Sequence, residues 1–268
     1  MKPAIIVIAA AVLAAPAVKA ADMAAGKAKA EEVCAACHGA NGVSVSAKIP
    51  NLAGQKEKYL VAQLKAFKSQ SRKNALMNPI AQQLSGDDMA NLAAHFSSQA
   101  GASGTAMSKV PAHILKTHIK FPQDYAKTFT HYTTINFAKK KQVRKYYVNE
   151  VALNAARAGK PLPNGSMIFV EVYKTKLDGS GNPVKGADGF FAADKLALYT
   201  AMEKQAGWGK DIPEMLKNGD WNYAVFKGDK SLKQGVNQAR CFACHTPEAD
   251  KSYVFSLKAL QETAKKGK

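Results

Sequence analysis

Two short runs, CAACH at Cys34–His38 and CFACH at Cys241–His245, use all four cysteines of this 268-residue chain. Each is a C-x-x-C-H run, the attachment signature of c-type haem. Thiols three positions apart reach the two vinyl groups on one porphyrin edge and form thioethers. The His that follows then falls under the iron as its proximal ligand. Cys34, Cys37, Cys241 and Cys244 are thus the expected covalent anchors, His38 and His245 the expected axial ligands, and two haem c the expected cofactors. Three rivals explain less. A four-thiolate zinc site would need the two pairs at far closer spacing and leaves the His after each pair unexplained. A thioredoxin-like C-x-x-C needs a βαβ context, whereas Ala-rich helical sequence surrounds Cys34. Structural disulfides are the third rival, and an exported compartment allows them.

The first twenty residues read as an export signal. Lys2 supplies the positive start, Ala4–Ala15 a short apolar stretch, and Val18-Lys19-Ala20 the small residues before a cleavage after Ala20. That stretch is shorter than the ~20 residues a membrane-spanning helix needs. No Cys follows it to carry a lipid. The expectation is a soluble periplasmic protein without stable membrane insertion, on the side of the membrane where haem c is attached. The formal net charge is +18. The basic excess lies late: nine basic against six acidic residues in 22–100, but 27 against 14 in 101–268. A lysine-rich solvated surface accounts for this, and haem propionates offset part of it. The sharper reading is steering toward an acidic redox partner protein or an anionic membrane face. Nucleic acid is not an expected partner, since no binding motif accompanies the charge.

Ser97–Pro111 is small, polar and Gly/Ser-rich, as a linker should be. It divides the chain into a signal segment 1–20, a first segment 21–98, a linker 99–112 and a second segment 113–268. Each long segment carries one motif, near the start of the first and near the end of the second, which argues against an internal duplication. The first segment reads as all helix. Ala24–Val33 is Ala/Lys/Glu-rich, and Glu57–Ser69 carries Leu60, Leu64 and Phe67 at helical spacing. Ser85-Gly86-Asp87-Asp88 is a capping-box-like start, followed by Met89, Leu92, Ala93 and Phe96 on one face. The second segment reads as a mainly antiparallel sheet with helices against it. Tyr146–Leu153 and Met167–Lys174 are strand-like; Lys195–Gln205 and Val254–Ala264 look helical.

A six-coordinate electron-transfer haem needs a second axial ligand, commonly Met. Of Met23, Met77, Met89 and Met107, Met89 sits on an apolar helix face and Met23 too near the motif. Met77 lies in a loop between two expected helices, from which it can swing to the far face of the haem. CAACHG, IPNLAGQ (Ile49–Gln55), YLVAQLKAF (Tyr59–Phe67), the Arg72–Ala81 stretch and LSGDDMANLAAHF (Leu84–Phe96) together resemble a class I cytochrome c of the c4/c5/c553 type. The resemblance implies an all-α fold, His38/Met77 ligation, and the Pro50 carbonyl orienting His38. His95 stands where the family usually has an aromatic residue, and reads as a helix residue, not a ligand.

FPQDY (Phe121–Tyr125), YYVNEVAL (Tyr146–Leu153), GKPLPNGSMIFVEVY (Gly159–Tyr173), YTAMEKQAGWG (Tyr199–Gly209), GDWNYAVF (Gly219–Phe226) and CFACHTPEADKSYVF (Cys241–Phe255) resemble the cytochrome P460 / cytochrome c′-β family. This implies a β-rich (α+β) domain, a homodimer through that domain, and a His-ligated haem c with a distal pocket. P460 members oxidise hydroxylamine or nitric oxide and carry a Lys cross-linked to the porphyrin; c′-β members bind nitric oxide and carbon monoxide. Aligning Gly165-Ser166 and Glu171 with the family puts Val170 at the cross-linking position. Lys174 and Lys176 lie too far along the strand to substitute. The cross-link is therefore expected to be absent. The sixth ligand of haem 2 stays open. Met202 is a candidate, Met167 has the wrong strand parity, and Phe169, Phe190, Phe191, Trp208, Trp221 and Phe226 are candidate lining residues, although single aromatics are more often core. His113, His118 and His131 read as exposed or structural.

The expected function is that of a periplasmic dihaem cytochrome. Haem 1 exchanges electrons with haem 2, which binds or transforms a small ligand such as nitric oxide, carbon monoxide or hydroxylamine. As an enzyme it would be an oxidoreductase acting on hydroxylamine or nitric oxide without the cross-link. The alternative is a pure electron shuttle with both haems six-coordinate. A peroxidase is weaker, for want of a distal acid–base pair.

Overall fold

The computed structural model describes residues 20–101 and 112–266, without the side chain of His113. The signal segment up to Lys19, Met107 and the linker from Ala102 to Pro111 lie outside the described residues.

The first segment is helical. Asp22 caps α1 (Met23–Lys29), its carboxylate accepting from the amides of Ala24 and Ala25 at 2.9 and 3.0 Å. The chain continues through one π turn (Ala30–Cys34) into α2 (Ala35–His38), so the first C-x-x-C-H run closes a continuous helical stretch. Next come α3 (Glu57–Lys68), α4 (Met77–Gln82) and α5 (Gly86–Ser98). Ser85 and Asp88 make the reciprocal capping box at the start of α5. Gly26 lets α1 cross α5 closely: a Cβ there would meet the Asn91 carbonyl oxygen at 2.1 Å. Leu60, Leu84, Met89, Leu92 and Phe96 fill the core between these helices.

The second segment begins with α6 (Ala112–Leu115) and α7 (Tyr125–Thr128). It then builds five antiparallel strands in sequence order: β1 (Thr130–Phe137), β2 (Gln142–Val148), β3 (Met167–Thr175), β4 (Ala193–Lys204) and β5 (Trp221–Lys227). Helix α8 (Glu150–Arg157) sits between β2 and β3, while α9 (Ala239–His245) and α10 (Leu257–Lys266) follow the sheet.

Strand alternation sorts the side chains onto two buried faces. Ile168, Val170, Val172, Met202, Trp221 and Tyr223 join the cluster that holds Phe242, Ala243 and Leu260 of α9 and α10. Met167, Phe169, Tyr199, Ala201 and Phe226 face the other way, under Ile119, Phe121 and Tyr125. The two segments meet where α2 and α4 pack on α9.

Three expectations need correction. Lys195–Gln205 is not a helix but most of β4, which is paired on both sides. Both of its faces are buried, so Leu198 and Met202 point one way and Tyr199 and Ala201 the other, which hides the alternation. The strand expected at Tyr146–Leu153 ends at Val148, because Asn149 caps α8 by accepting from Ala152 N. Met77 is not in mid-loop but is the first residue of α4.

Candidate haem sites

In both segments the C-x-x-C-H run lies on a helix that ends at its His. Residues three apart share a helix face, so Cys34 and Cys37, and likewise Cys241 and Cys244, project together. No disulfide joins them. Burial, with Cys37 and Glu32 adding to it, pushes the Cys34 thiol up to about 12. Burial, with Cys244 adding, pushes Cys241 up to about 12. Such thiols are not poised as thiolates for nucleophilic or redox work. Among the described residues no three His, Cys, Asp or Glu side chains converge on a metal position, so the zinc alternative has no geometry.

The two histidines are held alike. His38 Nδ1 lies 2.9 Å from the Pro50 carbonyl oxygen, and His245 Nδ1 lies 2.7 Å from that of Tyr253. A carbonyl can only accept, so Nδ1 donates, which fixes the tautomer and leaves Nε2 with a lone pair. Burial lowers both imidazoles from their ordinary value, opposed by that carbonyl bond, and so favours the neutral ring that ligates iron. The residues at both motifs therefore fit haem c: paired thiols on one helix face, and beside them an oriented, neutral imidazole with a free Nε2.

Around the first site Met77 is half-buried. The Asn74 side chain accepts from the amides of Leu76 and Met77, both at 2.9 Å, and so fixes the start of α4. Asn78 donates to the carbonyls of Phe67 and Arg72 at 2.6 and 2.8 Å, tying that turn to α3. Leu76 and Ile80 pack on the cluster that includes Cys37. Met89 is core and Met23 exposed. His95 is buried on α5, its Nε2 without a hydrogen-bond partner.

Around the second site Val170 and Met202 share the sheet face that packs on α9, with Ile168 and Val172 beside them. Met167 lies on the opposite face with Phe169, Phe226 and Trp208, so those residues do not line the second motif. Phe190 and Phe191 are half-buried in the β3–β4 connection. Trp221 does lie on the motif face, and its indole N–H has no partner. Lys174 and Lys176 are exposed. His118 stacks on Trp208 at 5.2 Å, and His131 pairs with Thr134 at 3.0 Å, so neither reaches the motif.

Several residues at this site were not singled out from sequence. Asn218, fully buried, donates to the Tyr223 hydroxyl at 2.8 Å and the Phe242 carbonyl at 3.1 Å, and accepts from Thr246 at 3.0 Å. It fastens α9 to the sheet. The Tyr223 ring lies 5.0 Å from His245. Tyr253, whose carbonyl orients His245, follows Ser252, and both have a positive φ. A polar turn soon after the motif His, like that ending at Pro50 in the first segment, was the available signal. On the far face Glu171 is buried among tyrosine hydroxyls and accepts from Tyr125, Tyr147 and Tyr173 at 2.5, 2.9 and 3.2 Å.

Comparison with known proteins matches these two units. The family model for cytochrome c covers residues 23–100, and that for cytochrome P460 covers residues 122–256, half of the chain. Cytochrome c-554(548) of Halomonas halodenitrificans is 46% identical over 69 residues, 25% of this chain and 83% of that protein. Cytochrome c4 of Pseudomonas aeruginosa is 46% identical over 85 residues, 32% of this chain and 42% of its own. The thiosulfate dehydrogenase electron acceptor of Stutzerimonas stutzeri is 46% identical over 66 residues, 24% of this chain and 31% of its own. The aligned part is thus less than half of each of the last two. Haem c is the cofactor these domains imply, and no helix among the described residues is long and apolar enough to cross a membrane. The chain is a c-type cytochrome of the cytochrome P460 family, with a cytochrome c domain preceding its P460 domain.

Proposed function

We propose that this cytochrome carries two haem c groups with unequal roles. Cys34 and Cys37 hold the first, with His38 and Met77 as axial ligands; Cys241 and Cys244 hold the second, with His245 on one side and an open position on the other. Bound haem c supplies a one-electron iron couple at each motif, and at an open position a place for a small ligand. The observation that carries the reading is the repeated histidine geometry, Nδ1 on a backbone carbonyl and Nε2 free, at the end of a C-x-x-C helix in both domains.

The inequality rests on what surrounds each motif. Asn74 and Asn78 hold Met77 at a fixed helix start, as a permanent sixth ligand requires. The sheet face toward the second motif presents the apolar side chains of Ile168, Val170 and Val172, with Val170 at the cross-linking position and Arg144 paired opposite Val172 on β2. The apolar part of that face suits a small uncharged ligand such as nitric oxide, carbon monoxide or hydroxylamine. Tethering a relay site to a ligand site in one chain raises its effective concentration as a redox partner. The leader, Met1–Ala20, directs the protein to the periplasm. There the basic second domain faces an acidic redox partner, and a second copy pairs with the P460 domain.

Met202 supports a second reading. It is buried on the motif face beside Tyr223, and its thioether is a competent sixth ligand, which would make the protein a pure electron shuttle. Anaerobic addition of nitric oxide and of hydroxylamine to the oxidised holo-protein, followed by absorption, separates the two. Spectral change at the His245 site, with reduction of the His38 site where turnover occurs, supports the open site. No change with either compound leaves the shuttle.

A further inference from the structure

The two haem-attachment helices, α2 and α9, touch one another. Ala36, between the cysteines of the first motif, is buried in the same apolar cluster as Ala239, Phe242 and Ala243 of the second, and Cys37 and Cys241 both pack on that cluster. Leu76 and Ile80, flanking the Met77 turn, join it too. The apolar core of the P460 domain thus extends to the thioether side of the cytochrome c domain.

Polar contacts fix the register of this contact. Asn237 Nδ2 donates to the Ala36 carbonyl at 2.5 Å, while its Oδ1 accepts from the Ala239 amide at 3.0 Å. One side chain therefore holds the start of α9 and the middle of the first motif. Gln83, just past α4, donates to the Met215 carbonyl at 3.2 Å, a second bond between the domains. Arg240 precedes Cys241, is exposed, and makes no ion pair among the described residues. It lies on α9, the helix that touches α2, directly before Cys241 and three residues after Asn237, whose side chain bonds the Ala36 carbonyl.

We propose that the α2–α9 contact is the electron junction between the two haem sites, with Asn237 as its positioning residue and the Arg240 guanidinium as a charge shared by both. This rests on the two-haem reading. Two consequences follow. The Cys37 side of the cytochrome c domain is covered by its own P460 domain, so an external redox protein must dock elsewhere. A positive charge at this junction would favour the reduced state of a haem held on either side, so Arg240 would raise both potentials together.

The test uses the full-length holo-protein, with haem counted by its pyridine haemochrome, and compares the wild type with Arg240→Gln, Arg240→Lys and Asn237→Leu. In a spectroelectrochemical titration R240Q lowers both midpoints, and R240K keeps them near wild type. After a reductive pulse, N237L slows the concentration-independent redistribution of the electron between the sites several-fold. With two haems counted, a shift confined to one midpoint, or to neither, overturns the shared charge. An unchanged redistribution rate in N237L overturns its positioning role. A count of one haem overturns the two-haem reading itself, and the junction with it. Because Arg240 is exposed, its variants remain informative where N237L folds poorly.

Discussion

Replacing Asn218 by Ala should loosen the second haem site and leave the first alone. Asn218 is completely buried and makes three hydrogen bonds, to the Tyr223 hydroxyl on β5, the Phe242 carbonyl within α9, and the Thr246 hydroxyl just after His245. Each buried hydrogen bond contributes about 1 kcal/mol net. The loss is partly cushioned, because Thr246 still donates to Phe242 O at 2.9 Å. Among the described residues the Tyr223 hydroxyl has no such second donor, and the missing side chain leaves a cavity. Together these give a destabilisation of about 2–4 kcal/mol. The assay is denaturant unfolding followed by tryptophan fluorescence. Both tryptophans, Trp208 and Trp221, lie in the P460 domain, so the signal reports that domain alone. The midpoint should fall at unchanged slope, while absorbance at the His38 site unfolds as in the wild type. A loss below about 1 kcal/mol, or an equal effect on both sites, would show that Asn218 does not anchor α9.

Other outcomes follow from named contacts. Gly26→Ala should cost about 1–3 kcal/mol in thermal or chemical unfolding of the cytochrome c domain, because the new Cβ meets the Asn91 carbonyl oxygen; an unchanged midpoint would mean that α1 and α5 cross less closely. Glu171→Gln should cost about 1–3 kcal/mol, since the amide NH₂ of Gln faces hydroxyls that now donate to a carboxylate; a neutral result in P460-domain unfolding would refute that role. Alkali should destabilise the P460 domain. Burial, with Glu171 adding, pushes the Tyr173 phenol up to about 12 and raises Tyr125 and Tyr147 further. A phenol held in its neutral form contributes fully below its unfolded value of about 10. That contribution is lost as pH rises from there through the folded value. Unfolding free energy should therefore fall between about pH 10 and 12, and fall less in Tyr173→Phe.

The parts of this molecule legible in sequence were those written in local code. C-x-x-C-H fixes thiol and imidazole spacing within one helical turn, and Ser85 with Asp88 announced α5 through the same capping box the structure shows. The parity of Val170 against Met167 separated the two sheet faces correctly, because a strand inverts every second side chain. What failed was code that tertiary context overrides. Strand β4 is built from Lys, Leu, Ala, Met and Glu, good helix formers, and is held extended by neighbours on both edges. Phe169 and Phe226, candidates for the pocket although single aromatics are more often core, do form core, on the face turned away from α9. Asn218 and Asn237 were invisible for a different reason. Their roles come from contacts with residues distant in sequence, up to the span from Asn237 to Ala36.

The central claim is that two similar motifs hold unequal sites, one closed by Met77 and one open. Carbon monoxide titration of the fully reduced holo-protein, with haem counted on the same sample, tests it most directly. One carbon monoxide bound per two haems is expected, rising to two when Met77→Ala opens the first site. No binding in the wild type, with Met202 ligation, or two bound without any substitution, would contradict it.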